Sequence, residues 1–123
     1  MEGVKRALKV WLVLFSLVVS KQYASAQPDV EKRKIEFLLG QIEAQKGAKF
    51  WRNGSSYMPK QAAEHLRMKW EKAGKSIRTA QDFVEKIASK SSMSGKVYEI
   101  EFADGSKVET KVFLLKKLAE WKP

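Results

Sequence analysis

His65 is the only histidine of this chain, and there is no cysteine. Those two counts narrow the chemistry. Thiol catalysis, disulfides and cysteine-ligated zinc are excluded, and there is no histidine cluster to hold a metal. A metal would have to rest on carboxylates, and these are scattered: Glu64 and Glu71 lie seven residues apart, while Asp82 and Glu85 read as a solvated helix face. No metal or other cofactor is expected. Serine catalysis needs a nucleophile, a base and an oxyanion hole. Ser91, Ser92 and Ser94, beside Gly95, are the candidate hydroxyls, with His65 as base. Neither a G-x-S-x-G elbow nor an S-x-x-K pattern occurs, so a small Ser/His hydrolase is the second reading and not the first.

The basic residues point to a different chemistry. Arg52, Lys60, Arg67, Lys69, Lys90 and Lys96 come from segments able to surround one face, and Asn53-Gly54 and Ser94-Gly95 offer backbone N–H groups. Arginine suits forked contacts with carboxylate or phosphate. The candidate ligand-binding set is therefore Arg52, Asn53, Tyr57, His65, Arg67, Ser92, Ser94 and Lys96. No residue is assigned a catalytic role. Each helical residue turns the chain by about 100°. With Leu66 at the centre of a buried stripe, His65 and Arg67 lie on opposite flanks and meet different neighbours. A structural use competes with binding at both: an imidazole bonded to backbone, and a guanidinium bonded to a loop carbonyl or an acid.

The N-terminal segment suggests where such a site would work. Lys5, Arg6 and Lys9 precede an almost wholly apolar run from Val10 to Val19, and Ala24-Ser25-Ala26 follows as a small-x-small motif. This is the pattern of a cleavable secretory signal over residues 1–26. The run falls short of the roughly 20 residues that span a bilayer, and no cysteine follows it for a lipid anchor. Residues 27–123 would then form one domain, periplasmic or secreted, with no transmembrane segment left. Four of the 24 basic and one of the 14 acidic residues lie in the signal, so the remainder carries 20 and 13, a net of +7. Such a charge attracts anions, although it also serves solubility. The expected partner is an anionic envelope component or a protein. Nucleic acid is disfavoured: Trp51 and Tyr57 offer rings for base stacking, but no nucleic-acid motif is present and export argues against it.

The elements that must position these groups follow from periodicity. Asp29 to Lys46 reads as a helix, with Ile35, Leu38, Leu39 and Ile42 on one face and Gly47 as its stop. Gly40 inside it would allow a neighbour to pack closely. Lys49 to Tyr57 is read as an aromatic-anchored loop or short hairpin around the Asn53-Gly54 turn. Pro59 opens a second helix that runs to Ala73, with Ala62, Leu66, Trp70 and Ala73 stacked. Thr79-Ala80-Gln81-Asp82 resembles a capping box, and Phe83, Val84, Ile87 and Ala88 form the stripe of a third helix. After a hydroxyl-rich loop from Ser89 to Gly95 the period becomes two. Tyr98, Ile100 and Phe102 share the inner face of a strand, Asp104-Gly105 turns it, and Lys107-Val108-Glu109 returns. Thr110 is positioned to cap a last helix. The expected fold is α+β: three helices, a short antiparallel hairpin and a C-terminal helix. A lone hairpin is marginal in water, so the helices must cover its apolar face.

With these segments placed, the chain resembles a family of small exported bacterial proteins classed as a domain of unknown function. The resemblance is carried by Arg52-Asn53-Gly54 with Tyr57, Ala62, His65-Leu66-Arg67 and Lys69. It continues through Thr79-Ala80 with Phe83, Ile87-Ala88-Ser89, Ser91-Ser92, Ser94-Gly95, Tyr98 and Asp104-Gly105. It implies export and a single small α+β domain, and it implies no activity. The leading expectation is a non-catalytic binding module; the alternatives are the hydrolase and a purely structural use of the polar set.

Overall fold

The computed structural model describes residues 29–123. The apolar run and the Ala24-Ser25-Ala26 motif lie outside the described residues. Helix α1 (Asp29–Glu43) leads to the hairpin β1 (Lys49–Arg52) and β2 (Ser55–Tyr57), then to helix α2 (Pro59–Ala73) and a 3-10 turn, Gly74–Ser76. Helix α3 begins as an α turn at Ala80–Asp82 and widens into a π turn at Phe83–Ile87. Strands β3 (Glu99–Glu101) and β4 (Lys107–Glu109) follow, then helix α4 (Thr110–Glu120). The class is α+β, with four helices and one four-stranded antiparallel sheet among the described residues. No helix there is long and apolar enough to cross a membrane.

The four-helix count matches the sequence expectation, but the sheet is larger than a lone hairpin. Lys49 to Tyr57 forms a true hairpin and pairs with the second one, giving the order β2-β1-β3-β4. The turn residues explain the hairpin. Asn53 and Gly54 both take positive φ, 51° and 80°, which a two-residue hairpin turn of matching twist requires. The pairing satisfies the inner edges of both hairpins, which alone would leave backbone groups unpaired.

Alternation along the strands separates the two faces. Phe50, Tyr98 and Ile100 are buried on the inner face, in one cluster with Ile35, Leu38, Leu39 and Ile42 of α1 and Leu66 of α2. The opposite face carries Lys49, Glu99, Glu101, Lys107 and Glu109, and there Lys107 Nζ sits 5.1 Å over the Trp51 ring. Helix α1 is central among the helices, touching α2, α3 and α4.

Three local details depart from expectation. Gly40 lies on the exposed side of α1, and nothing approaches the place a Cβ would take, so it has no close neighbour to admit. Thr79 Oγ1 does accept from the Asp82 N–H at 3.0 Å, but the Asp82 carboxylate accepts from Arg78 N instead of closing the box. The Ala80 N–H donates to Glu31 of α1 at 2.9 Å, so an acid of another helix completes the cap. That bond holds the Glu31 carboxyl below its ordinary pKa, helped by Lys34 and opposed by burial. Thr110 does not cap α4: Glu109 occupies the cap position, and Thr110 is buried inside the first turn.

One side chain of α2 ties three segments together. Lys69 Nζ donates to Ile87 O at 2.7 Å, to Lys90 O at 3.2 Å and to Tyr98 Oη at 3.1 Å. The π turn leaves the Ile87 carbonyl at the end of α3, where a cation also opposes the negative end of the helix. Burial, and secondarily Arg52, lowers the Lys69 pKa, and three acceptors keep the ammonium solvated by protein. Replacing Lys69 by Met keeps much of the stem and strands these acceptors, at about 1–3 kcal/mol for a buried polar group left without a partner. Urea unfolding of Lys69→Met is expected to show a loss of about 1–3 kcal/mol, against less than about 0.5 for the exposed Lys72→Met. Equal midpoints for the two variants would show that the ammonium is dispensable.

Candidate functional site

The hairpin β1–β2 and helix α2 meet over the inner face of the sheet, and a cavity of about 270 Å³ opens between them. This is just below the roughly 300–1,000 Å³ usual for small-molecule clefts. Its apolar wall includes Phe50, Ala62 and Leu66, with the exposed Met68 at the rim. Its polar lining residues are Arg52, Tyr57, Gln61, Glu64, His65, Tyr98 and Thr110. Strand register places Arg52 and Tyr57 on the inner face, and helix geometry places His65 on the flank of α2 that faces them.

Arg52 is the hub. Its Nη1 lies 2.8 Å from Nε2 and 3.1 Å from Nδ1 of His65, and its Nη2 donates to Tyr57 Oη at 3.0 Å. The His65 ring meets Tyr98 edge to face, with centroids 6.4 Å apart. The pKa of His65 is lowered, first by burial and then by Arg52, Lys69 and Lys72. An imidazole in that setting is neutral at pH 7 and can accept from the guanidinium. Burial pushes the Tyr98 phenol up, so it stays protonated.

Neither Arg52 nor Lys69 is in an ion pair within 4.0 Å among the described residues. Glu64 lines the rim but is exposed and pairs with neither. Half-buried cations usually face an acid; here both rest on carbonyls, phenols and an imidazole. Arg52 has five N–H donors and spends two on these neutral partners.

The other candidate residues divide between this cluster and elsewhere. Asn53 leans from the hairpin turn onto the Ser91–Lys96 loop: its Nδ2 donates to the buried Ser91 Oγ at 3.2 Å, and Ser94 Oγ donates to its Oδ1. Ser91 Oγ also accepts from Met93 and Ser94 N–H groups, and Ser94 Oγ from the Lys96 N–H. These bonds moor the hairpin tip. Arg67 sits away from the cavity, forked onto Glu36 of α1 at 2.6 and 2.9 Å, which raises its pKa. The Ser92 and Lys96 side chains are exposed and do not line the cavity. The hydrolase reading requires a serine hydroxyl on His65. Ser94 is engaged by Asn53 and His65 by Arg52, and among the described residues neither Ser94 nor Ser92 is hydrogen-bonded to His65. Among the described residues no three metal-ligating side chains come together.

Gln61, Glu64, Tyr98 and Thr110 line the cavity but were not singled out from the sequence as binding residues. Tyr98 read as an inward strand residue and Thr110 as a cap. Thr110 is 1% exposed, its N–H donates to Tyr98 O at 2.9 Å, and its Oγ1 has no hydrogen-bond partner. Trp51 Nε1 is the other buried polar side-chain atom in that condition. A hydroxyl at an otherwise inward, apolar position is the one signal that marks Thr110 in the sequence.

A family model described as a family of unknown function, DUF5329, matches residues 29–122, and the chain belongs to that family. The chain is also similar to the uncharacterized protein YfeK of Salmonella typhimurium (strain LT2), with 37% identity over 68 residues. That match covers 55% of this chain and 57% of the Salmonella protein, so the chain spans less than two thirds of that relative. No solved structure matches.

Two predictions come from this geometry. His65 binds a proton less readily folded than unfolded, so the unfolded state holds more protons and stability rises with pH. The contribution is complete above about pH 6.5, the ordinary histidine value, and is lost progressively as pH falls from there toward the lowered folded value. As the only histidine, His65 should account for most of the fall in urea midpoint between pH 7.5 and 5.5, and His65→Gln should flatten it. An equally steep fall in the variant would place the proton elsewhere. Thr110→Val keeps the shape and removes a buried hydroxyl without a partner. It should leave stability unchanged or raise it by about 1 kcal/mol, as read by thermal unfolding; a loss above that size would show that the hydroxyl is bonded.

Proposed function

We propose that this member of the DUF5329 family is an exported, non-catalytic binding module that holds an anionic group at Arg52. The observation that carries this reading is a half-buried guanidinium at the mouth of a cavity, supported only by neutral partners. Such an arrangement fixes the arginine fork without neutralising it. A carboxylate or phosphate oxygen arriving there meets three uncommitted N–H donors and the field of the nearby Lys69. The cation is held in place before the ligand arrives, which reduces the ordering cost of binding.

Export rests on the basic start, the apolar run and the small-residue motif of residues 1–26. The net positive charge suits an anionic component of the envelope, and an acidic group on a protein partner would engage the same arginine. The polar set is not uniform in this reading. Lys69 with its three acceptors, and Asn53 with Ser91 and Ser94, hold the fold; Arg52 and His65 face the cavity.

The test is thermal unfolding of the purified protein with acetate and inorganic phosphate, at low and moderate salt. A ligand bound only by the native state raises the melting temperature once it exceeds its dissociation constant. A rise that shrinks with salt and disappears in Arg52→Gln, with the far-ultraviolet spectrum of that variant unchanged, is expected. A rise of the same size in Arg52→Gln, or no rise with either anion or with the longer carboxylates named below, would sink the proposal.

A further inference from the structure

The polar groups of the cavity lie along one row of the sheet. Trp51 faces Glu99, and Glu99 faces Glu109. One residue further on, the register brings Arg52 at the end of β1, Tyr98 just before β3 and Thr110 at the start of α4 side by side towards the inner face. The bond from the Thr110 N–H to Tyr98 O continues the ladder there. Neighbouring strands are about 4.8 Å apart, so the Cα atoms of Arg52 and Thr110 are about 10 Å apart with Tyr98 between them.

The two ends of this row differ. At the Arg52 end is a cation with spare donors. At the Thr110 end is a hydroxyl that is 1% exposed and has no partner. A buried hydroxyl without a partner is costly in an apolar setting. The same cavity is lined by the apolar side chains of Phe50, Ala62, Leu66 and Met68. We propose that the cavity takes a small organic monocarboxylate. Its carboxylate sits on Arg52, its apolar body crosses the row, and a polar atom at its far end bonds Thr110 Oγ1.

This rests on the reading of Arg52 as an anion receptor and names its ligand class. Among the described residues Arg52 is the one lysine or arginine in the cavity lining, and the nearby Lys69 already serves three acceptors, so a dianion would find no second cation there. An inorganic anion would reach Arg52 but leave the apolar wall and Thr110 unused. A nucleotide would bring more charge than one guanidinium offset. The hydroxyl at the deep end favours a body with a terminal hydroxyl or carbonyl over a plain hydrocarbon tail.

The probes are acetate, butanoate, hexanoate, methyl hexanoate and 6-hydroxyhexanoate, titrated calorimetrically into the purified protein. From acetate to hexanoate the affinity should rise by up to about fourfold per methylene, the value for burying a CH₂. Methyl hexanoate, which lacks the charge, should bind at least tenfold more weakly than hexanoate. The 6-hydroxy acid should bind more tightly than hexanoate in the parent protein, and this preference should vanish in Thr110→Val while hexanoate still binds. Equal affinity for acetate and hexanoate would overturn the ligand class and leave Arg52 as a receptor of simple anions. The absence of binding by every acid would remove both proposals. A hydroxy-acid preference that survives in Thr110→Val would overturn the placement of the far end.

Discussion

The Lys69 ammonium is the contact on which the rest of the site depends. Its three bonds fix α2 against the end of α3, the loop that follows and the Tyr98 phenol. Because the phenol is committed there, the Tyr98 ring is set across the sheet, and His65 packs on it edge to face. His65 in turn receives Arg52, and Arg52 reaches Tyr57. A chain of neutral groups thus runs from one cation to the other, and each link fixes the orientation of the next.

The electrostatic character of the site follows from the absence of acid in that chain. Burial first, and then the neighbouring Arg52 cation, lowers the pKa of both Lys69 and His65. Arginine keeps its charge under such pressure because its intrinsic pKa is very high. Lysine keeps it here because three acceptors replace water. Histidine gives way and is neutral, which suits it to accept a bond from the guanidinium. Three basic side chains at close quarters therefore play three different parts, decided by intrinsic pKa and by available acceptors.

Helix positions were readable because buried residues recur at helical spacing: Ile35, Leu38, Leu39 and Ile42 are all in the core. Strand β3 was readable from its alternation, and the first hairpin from Asn53-Gly54. What the sequence did not disclose was the pairing of the two hairpins, since Phe50 opposite Ile100 is a long-range register that no local pattern encodes. The same limit applied to side-chain partners. Arg67 and Arg52 look alike in the sequence, yet one meets Glu36 and the other His65 and Tyr57. The divergence of His65 and Arg67 was predictable from helix geometry, because two residues that flank a buried stripe point to different neighbours. Tyr98 and Thr110 were obscured because inward positions suggest packing, and only the three-dimensional arrangement brings both residues into the lining of one cavity.

The lining of that cavity comes from β1, β2, α2, the residue before β3 and the first residue of α4, segments spread from Phe50 to Thr110. Contacts so distant along the chain form only after the intervening loops have closed, and each closure has an entropic cost that grows with its length. The two ends of the row, Arg52 and Thr110, are 58 residues apart along the polypeptide. A ligand spanning Arg52 and Thr110 would therefore report on completed assembly, since a half-formed molecule with either hairpin undocked would have only one of its two handles.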